Sequence, residues 1–355
     1  MFDNMINTSN HTISQNASLS DAIKKMGEPG HARVLFVLND SEKIMGTISD
    51  GDIRRGLLEG LTVHDSCEKF AFKSFKFILK NRIDLNQIRE WRNRNVEIIP
   101  VLSDDGTLIE ILNFKKLKSY LPLSAVIMAG GLGMRLRPLT INTPKPMLKV
   151  GDLPILEINV KRLLQFGIRE IFLCVGYLKE QIMKHFGDGS QWNCRIIYIE
   201  ENQPMGTIGA LSMLPELSND HILLFNADLL SNVDLEEMYL KYEQTNSNIC
   251  IATIPHKVTL PYAVLEEKND QITSLVEKPT YTFQANAGFY LFNSQLLNSI
   301  PKNTFYNATD FVESAITSQL NVQSFPILGY WNDIGSIQDY EKSQEDIKSL
   351  HLFDF

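Results

Sequence analysis

Gly130, Gly131 and Gly133 fall within four positions, directly behind the apolar run VIMA (126–129), and Arg135, Arg137 and Lys145 follow. Glycine lets backbone N–H groups approach phosphate oxygens with no Cβ in the way, and arginine and lysine supply charge for a polyphosphate. An isolated GGxG equally serves as a tight structural turn. Spacing rules out two other phosphate loops: GGLGMRL matches neither the GxxxxGK of a P-loop nor GxGxxG. A carboxylate, Asp228, lies near the end of a second apolar run, HILLFNADLL (221–230). No serine, cysteine or histidine forms an evident nucleophilic triad.

The elements that must position these groups alternate strand with helix. AVIMA has strand length. ILEINVKRLLQFG sets Ile155, Leu156, Val160, Leu163 and Leu164 on one helical face and stops at Gly167, a good residue after a helix end. EIFLCVGY reads as a strand, LKEQIMKHFGDG as a helix, CRIIYIE as a strand and HILLFNADLL as a strand carrying its carboxylate. Near-continuous apolar strands with helices between them predict an α/β fold with a mostly parallel, doubly wound sheet. Such sheets bind ligands beyond the carboxyl ends of their strands, which would bring the glycine loop and Asp228 together.

Residues 1–118 follow another pattern. VLFVLNDSEKIMGTISD (34–50) is echoed by VEIIPVLSDDGTLIEIL (96–112), with Gly46 and Gly106 60 positions apart. Each copy follows a helical stretch, SLSDAIKKM and DLNQIREWRNR. Two such copies predict a smaller pseudo-symmetric α/β domain. Residues 119–123, with Pro122 discouraging helix, read as a linker, and 124–355 as the second domain.

Bulk properties narrow the function classes. The 355 residues are 44% hydrophobic and 21% charged, ordinary for a globular chain of about two domains. Thirty-four basic against 42 acidic residues give a net charge of −8, which argues against nucleic acid as partner. No apolar run approaches the roughly 18 residues of a membrane span, and no secretory signal is visible. Cys67, Cys174, Cys194 and Cys250 lack CxxC spacing. A cytoplasmic protein with reduced thiols and no zinc site is expected.

The stretch AGGLGMRLRPLTINTPKPML (129–148) resembles the signature of sugar-1-phosphate nucleotidyltransferases. PMGTIGAL (204–211), FNADLL (225–230), PYAVLEE (261–267), VEKP (276–279), NAGFYLF (286–292) and WNDIGSIQDY (331–340) follow in the family's order. Residues 1–118 resemble a pair of CBS repeats, with GTISDGDIRR as the specific part. The combination is similar to the glucosamine-1-phosphate guanylyltransferases of bacterial legionaminic acid synthesis.

The resemblance implies attack by a sugar 1-phosphate oxygen on the α-phosphorus of a nucleoside triphosphate, with release of pyrophosphate. The nucleophile is already an anion, so the reaction needs charge neutralisation and in-line placement. It implies Mg2+ on Asp228 and Asp333, because magnesium takes hard oxygens and only one or two protein carboxylates. Gly130, Gly131 and Gly133 would hold the nucleotide through their backbone, with Gly206 and Thr207 also on it. Arg135 would face the leaving pyrophosphate and Lys145 the reacting phosphates. Glu277 and Lys278 would share the sugar phosphate, and Asn286 and Gly288 would line the sugar pocket. Ala263 stands where the family often has glycine, which leaves the sugar open: glucosamine 1-phosphate leads, with heptose or mannose 1-phosphate as alternatives. Glu201, five before the glycine of GT, falls where the family often reads the base. A carboxylate matches guanine's adjacent N1–H and 2-amino donors, so GTP is expected. The plain alternative is a solvated loop carboxylate, with Gln203 or backbone reading the base. CBS pairs commonly hold an adenine nucleotide through S/T-x-x-D, here Ser49 and Asp52, and tend to self-associate, so a homo-oligomer is expected. A non-catalytic, nucleotide-sensing subunit is the alternative of another class. Such chains lose the arginine, the lysine or a metal aspartate, and this one keeps all four residues.

Overall fold

A computed structural model describes residues 8–28 and 33–350. The first seven residues of the expected first domain and the last five of the expected second lie outside them. The chain forms two compact units: residues up to Leu121 with Leu164–Arg169 and Gly189–Cys194, and the remainder. The stretch expected as a linker is packed, with Ser119, Tyr120 and Leu121 buried and Leu121 N–H donating to Phe166 O at 2.9 Å.

In the first unit the repeat is structural, but its offset differs from the one the glycines imply. Strands Val34–Leu38 and Ile44–Ser49 pair antiparallel, as do Ile98–Leu102 and Leu108–Asn113. Val34 faces Ser49 where Ile98 faces Asn113, and both hairpins shift register after the fourth pair. Equivalent residues are therefore 64 apart, not 60. On that offset Gly106 (φ +86°) corresponds to Glu42 (φ +58°), a non-glycine in the same left-handed turn position. Lys43 and Thr107, equivalent positions, bridge to each other, as a pseudo-twofold axis requires. The copies diverge after the hairpin: Asp50–Leu58 is helical, whereas the chain after Asn113 only turns.

The second unit is built on a seven-stranded sheet. Its strands are β1 (Leu123–Ala129), β2 (Glu170–Val175), β3 (Arg195–Glu200), β4 (His221–Asn226), β6 (Ile249–Thr259), β7 (Thr280–Asn293) and β8 (Val322–Pro326). Two further short strands, β5 (Leu229–Ser231) and β9 (Trp331–Asp333), pair antiparallel outside it. The sheet order is β3-β2-β1-β4-β7-β6-β8. β1 to β4 are parallel, and β7 runs against both β4 and β6. The expected mostly parallel α/β sheet is present, and the chain changes direction of winding at β1, between β2 and β4. One face buries Val126, Phe172, Leu224 and Phe292 against Phe311 and Ala315 of the helix Ala308–Thr317.

The helix α1 (Ile155–Gln165) departs from the amphipathic expectation, for it is buried on every face. Its polar residues are paired rather than solvated. Asn159 Nδ2 donates to Leu229 O at 2.9 Å, Arg162 Nη2 to Val233 O at 2.8 Å, and Lys161 pairs with Glu157 at 2.9 Å. The apolar run 221–230 is also not one strand. It breaks after Asn226, so Asp228 sits in the turn between β4 and β5.

Candidate active site

The carboxyl ends of the four parallel strands converge. Gly130 follows β1, Gly176 follows β2, Glu201 follows β3 and Asp228 follows β4, and all four line one cleft of about 600 Å3. Gly131, Gly133, Lys145, Gly206 and Thr207 line it as well, with Tyr177, Gln203, Asn226 and Phe305.

The three glycines of the loop are glycine for three different reasons. A Cβ on Gly130 would stand 2.7 Å from Glu201 Oε1. Gly133 has φ +60°, and its Cβ would press on Thr140 at 3.0 Å and on Lys145 Cβ at 3.2 Å. A Cβ on Gly131 would meet nothing within 4 Å. The fold does not demand glycine there; the open space is that of the cleft, where a ligand would approach the backbone. The loop's far side is pinned by Tyr177, whose hydroxyl donates to Ile141 O at 2.7 Å.

Two aspartates meet through the β5–β9 pair. Leu229 is in register with Asp333, and Ile334 N–H donates to Asp228 O at 3.2 Å. Lys145 pairs with Asp228 Oδ2. Asp228 Oδ1 and Asp333 Oδ1 are buried and lack a hydrogen-bond partner. Burial, then the neighbouring Asp228 charge, raises the Asp333 carboxyl above its usual range, against the pull of Lys145 and Arg135. Two unpaired buried carboxylate oxygens suit a hard cation. Among the described residues no group of three or more His, Cys, Asp or Glu could hold a metal by itself. Magnesium fits that donor set, since it takes few protein carboxylates and completes its shell with phosphate and water. Arg135 does not line the cleft; its guanidinium lies within 3.4–3.6 Å of where a Gly335 Cβ would stand, two residues beyond Asp333.

Glu201 is half-buried rather than a solvated loop carboxylate. Its Oε2 accepts from Met205 N–H at 3.3 Å, and burial raises its carboxyl above the usual range. Gln203 is exposed. Gly206 and Thr207 line the cleft but also serve the fold. A Cβ on Gly206 would stand 2.5 Å from Tyr306 O, and Thr207 Oγ1 accepts from Ala308 N–H at 2.8 Å.

Four expected sugar-site residues are not in this cleft. Glu277 and Lys278 are exposed in the turn before β7, Lys278 with φ +44°. Asn286 Nδ2 donates to the Tyr290 hydroxyl at 2.6 Å, and Asn286 Oδ1 accepts from Gly288 N–H at 2.9 Å. A Cβ on Gly288 would lie 2.9 Å from Leu229 and 3.6 Å from Asn226 Nδ2, close to the Asp228 turn. In the first unit Ser49 and Asp52 form a capping box for the helix Asp50–Leu58. Asp52 also pairs with Arg55.

Sequence motifs missed Tyr177, Asn159 and Phe305. The first two act through backbone carbonyls, and Phe305 sits in a stretch with no periodicity. Cys67, Cys174 and Cys250 are buried free thiols and Cys194 is partly buried. No described helix is long and apolar enough to cross a membrane.

A mostly parallel sheet with a glycine loop and carboxylates at its switch point is the ligand-binding end of a doubly wound α/β protein. The chain belongs to the nucleotidyl transferase family, whose model matches residues 124–349, and a CBS domain model matches residues 3–59. The chain is 30% identical over 233 residues to the mannose-1-phosphate guanylyltransferase of Mycobacterium tuberculosis, covering 63% of this chain and 64% of that one. It is also 30% identical over 228 residues to a rice protein named for mannose-1-phosphate guanylyltransferase 1, covering 61% and 63%. The match thus spans under two thirds of these relatives. A Bacillus anthracis crystal structure carrying the name of glucose-1-phosphate thymidylyltransferase, solved with sucrose, superposes with a TM-score of 0.54 at 21% identity. It covers 66% of this chain and 97% of that one, a likeness of fold.

Proposed function

We propose that the protein transfers guanylate from GTP to a sugar 1-phosphate, giving a GDP-sugar and pyrophosphate. One observation carries this reading. A single cleft holds the glycine loop, Lys145, Glu201 and Asp228, and Asp333, set beside Asp228 by the β5–β9 pair, adds a second unpaired carboxylate oxygen. The backbone at Gly131 would receive the triphosphate, and Glu201 would accept from guanine N1–H and the 2-amino group. Lys145 would turn from Asp228 to the reacting phosphates, and Arg135 would neutralise the leaving pyrophosphate. Asp228 and Asp333 would hold magnesium, which when bound supplies positive charge to the phosphate oxygens. Glu277 and Lys278 would hold the sugar phosphate, with Asn286 and Gly288 at the sugar.

Glucosamine 1-phosphate is the proposed acceptor, giving GDP-glucosamine, on the resemblance of the CBS–transferase arrangement to the legionaminic acid enzymes. Glu277 could pair with its ammonium. Mannose 1-phosphate is the second reading, favoured by the names of the curated relatives. Pyrophosphate release with GTP and a panel of sugar 1-phosphates separates the two, and no release with any acceptor would overturn the whole reading. Asp228→Asn and Asp333→Asn should each lower turnover at least about a hundredfold. Magnesium should raise the thermal midpoint of the wild type but not of these variants. Near wild-type rates in both would remove the metal assignment. The CBS pair is proposed to mediate self-association, which light scattering on the full chain reads directly.

A further inference from the structure

Phe305 is a large aromatic left 60% exposed at the mouth of the cleft. Exposed apolar side chains are common on this chain, but this ring lines the cleft, where its face is open to a flat ligand. Its backbone, in contrast, is firmly held. Tyr306 N–H donates to Met205 O at 3.1 Å, and Ile208 and Gly209 N–H both donate to Tyr306 O at 3.2 Å. Ala308 N–H donates to Thr207 Oγ1 at 2.8 Å. Contact this close needs glycine on the facing loop. A Cβ on Gly206 would stand 2.5 Å from Tyr306 O, and one on Gly209 2.6 Å from Thr304 O. Met205, at the centre of this frame, also donates its N–H to Glu201 Oε2. Glu201 and Phe305 are therefore fixed to the same short loop, one half-buried in the cleft and the other at its opening.

We propose that Phe305 is the platform on which the nucleotide base stacks, so that the base is read at its edge by Glu201 and gripped on its face by Phe305. The inference rests on the reading that a nucleoside triphosphate occupies this cleft. A π-face contact is common to all bases, so Phe305 would supply affinity where Glu201 supplies choice.

The test measures nucleotide dissociation constants and steady-state kinetics for the full-length protein with GTP and ATP. Phe305→Ala should raise the dissociation constant and KM for GTP about tenfold, as for loss of one base–aromatic stack, with kcat changed much less. The GTP-to-ATP preference should stay within about twofold, because a face contact does not read the edge. Glu201→Gln should instead lower the GTP-to-ATP preference itself, because it weakens GTP and leaves ATP little changed. Because the ring is exposed, Phe305→Ala should keep a thermal midpoint close to wild type. Phe305→Trp should keep the affinity, and nucleotide should quench its added indole fluorescence beyond any change in the wild type. Wild-type nucleotide affinity in Phe305→Ala, or no added quenching in Phe305→Trp, overturns the proposal and leaves the guanylyltransferase reading standing. If ATP proves the preferred nucleotide and still loses affinity in Phe305→Ala, the stacking role holds and the guanine reading falls. No binding of either nucleotide to the wild type overturns both.

Discussion

Glu201 can reach the centre of the cleft only because residue 130 has no side chain. Its Oε1 occupies the space a Cβ would need, at 2.7 Å, and the Gly130 backbone is in an ordinary conformation that alanine also adopts. Gly130→Ala should therefore fold normally yet push the carboxylate aside. Both Gly130→Ala and Glu201→Gln should cut the preference for GTP over UTP by roughly tenfold or more, the loss expected for a bidentate pair. Competition assays with the two nucleotides check this, and an unchanged ratio in both would take Glu201 out of base selection. A pH dependence follows from the same residue. Burial raises the Glu201 carboxyl above the usual glutamate range, with the Met205 N–H pulling it partly back. Only the ionised form accepts from both guanine donors; once protonated it presents a donor to a donor. The preference for GTP should thus decline on acidification, beginning at a higher pH than an ordinary glutamate would give. The ratio of kcat/KM values against pH reports this for the free enzyme. A ratio that stays flat down to the ordinary glutamate range would contradict it.

At the scale of elements, Asp228 owes its position to the break between β4 and β5 and to α1 beneath it. Asn159 Nδ2 lies 2.9 Å from Leu229 O and 3.4 Å from Ala227 O, the two carbonyls that flank Asp228. Asn159→Ala leaves both buried carbonyls without this donor, at a cost of about 1–3 kcal/mol. Urea denaturation should show that loss, and turnover should fall as the aspartate loosens; an unchanged midpoint would mean that the turn holds itself. None of this was legible in the sequence. Periodicity marked Ile155, Leu156, Val160, Leu163 and Leu164 correctly but gave no sign that the polar residues of α1 are buried too, because pairing with distant carbonyls leaves no local pattern. The alternation of strand and helix and the meeting of the glycine loop with Asp228 were legible, since apolar runs and strand ends are local features; strand order and the antiparallel β7 were not, because pairing between distant strands leaves no local mark. The break at Asn226 was not, because apolar residues continue through it. In the repeat, matching letters misled: Gly46 and Gly106 look equivalent, yet the backbone aligns Gly106 with Glu42, a residue that tolerates the left-handed turn without being glycine.

At the scale of the whole molecule, the nucleotidyl transferase model matches residues 124–349 alone, so what the first unit adds must be read from its own residues. The 64-residue offset pairs Ser49 with Asn113 and Asp52 with Lys116. The second copy thus offers a cation where the first offers a carboxylate, and of these two equivalent positions only the first carries the S-x-x-D that could accept from ribose hydroxyls. That site is occupied by its own neighbours. Asp52 Oδ2 accepts from Ser49 N–H at 2.8 Å and from the Ser49 hydroxyl, and Oδ1 pairs with Arg55. The Arg55 side chain is 64% exposed while Asp52 is buried, so Arg55 can turn out to solvent provided that ribose hydroxyls replace its donors on the buried carboxylate. Calorimetry of the full chain with AMP, its transferase cleft saturated with GTP, should therefore give one AMP per chain. Asp52→Ala should abolish this binding, although loss of the capping box will also weaken its helix by about 1 kcal/mol. Arg55→Ala separates the two effects, because it leaves the capping box intact and frees Oδ1, so it should tighten AMP binding. Two AMP per chain would overturn the assignment of the second copy. No AMP binding in the wild type and in Arg55→Ala would mean that Ser49 and Asp52 only cap their helix.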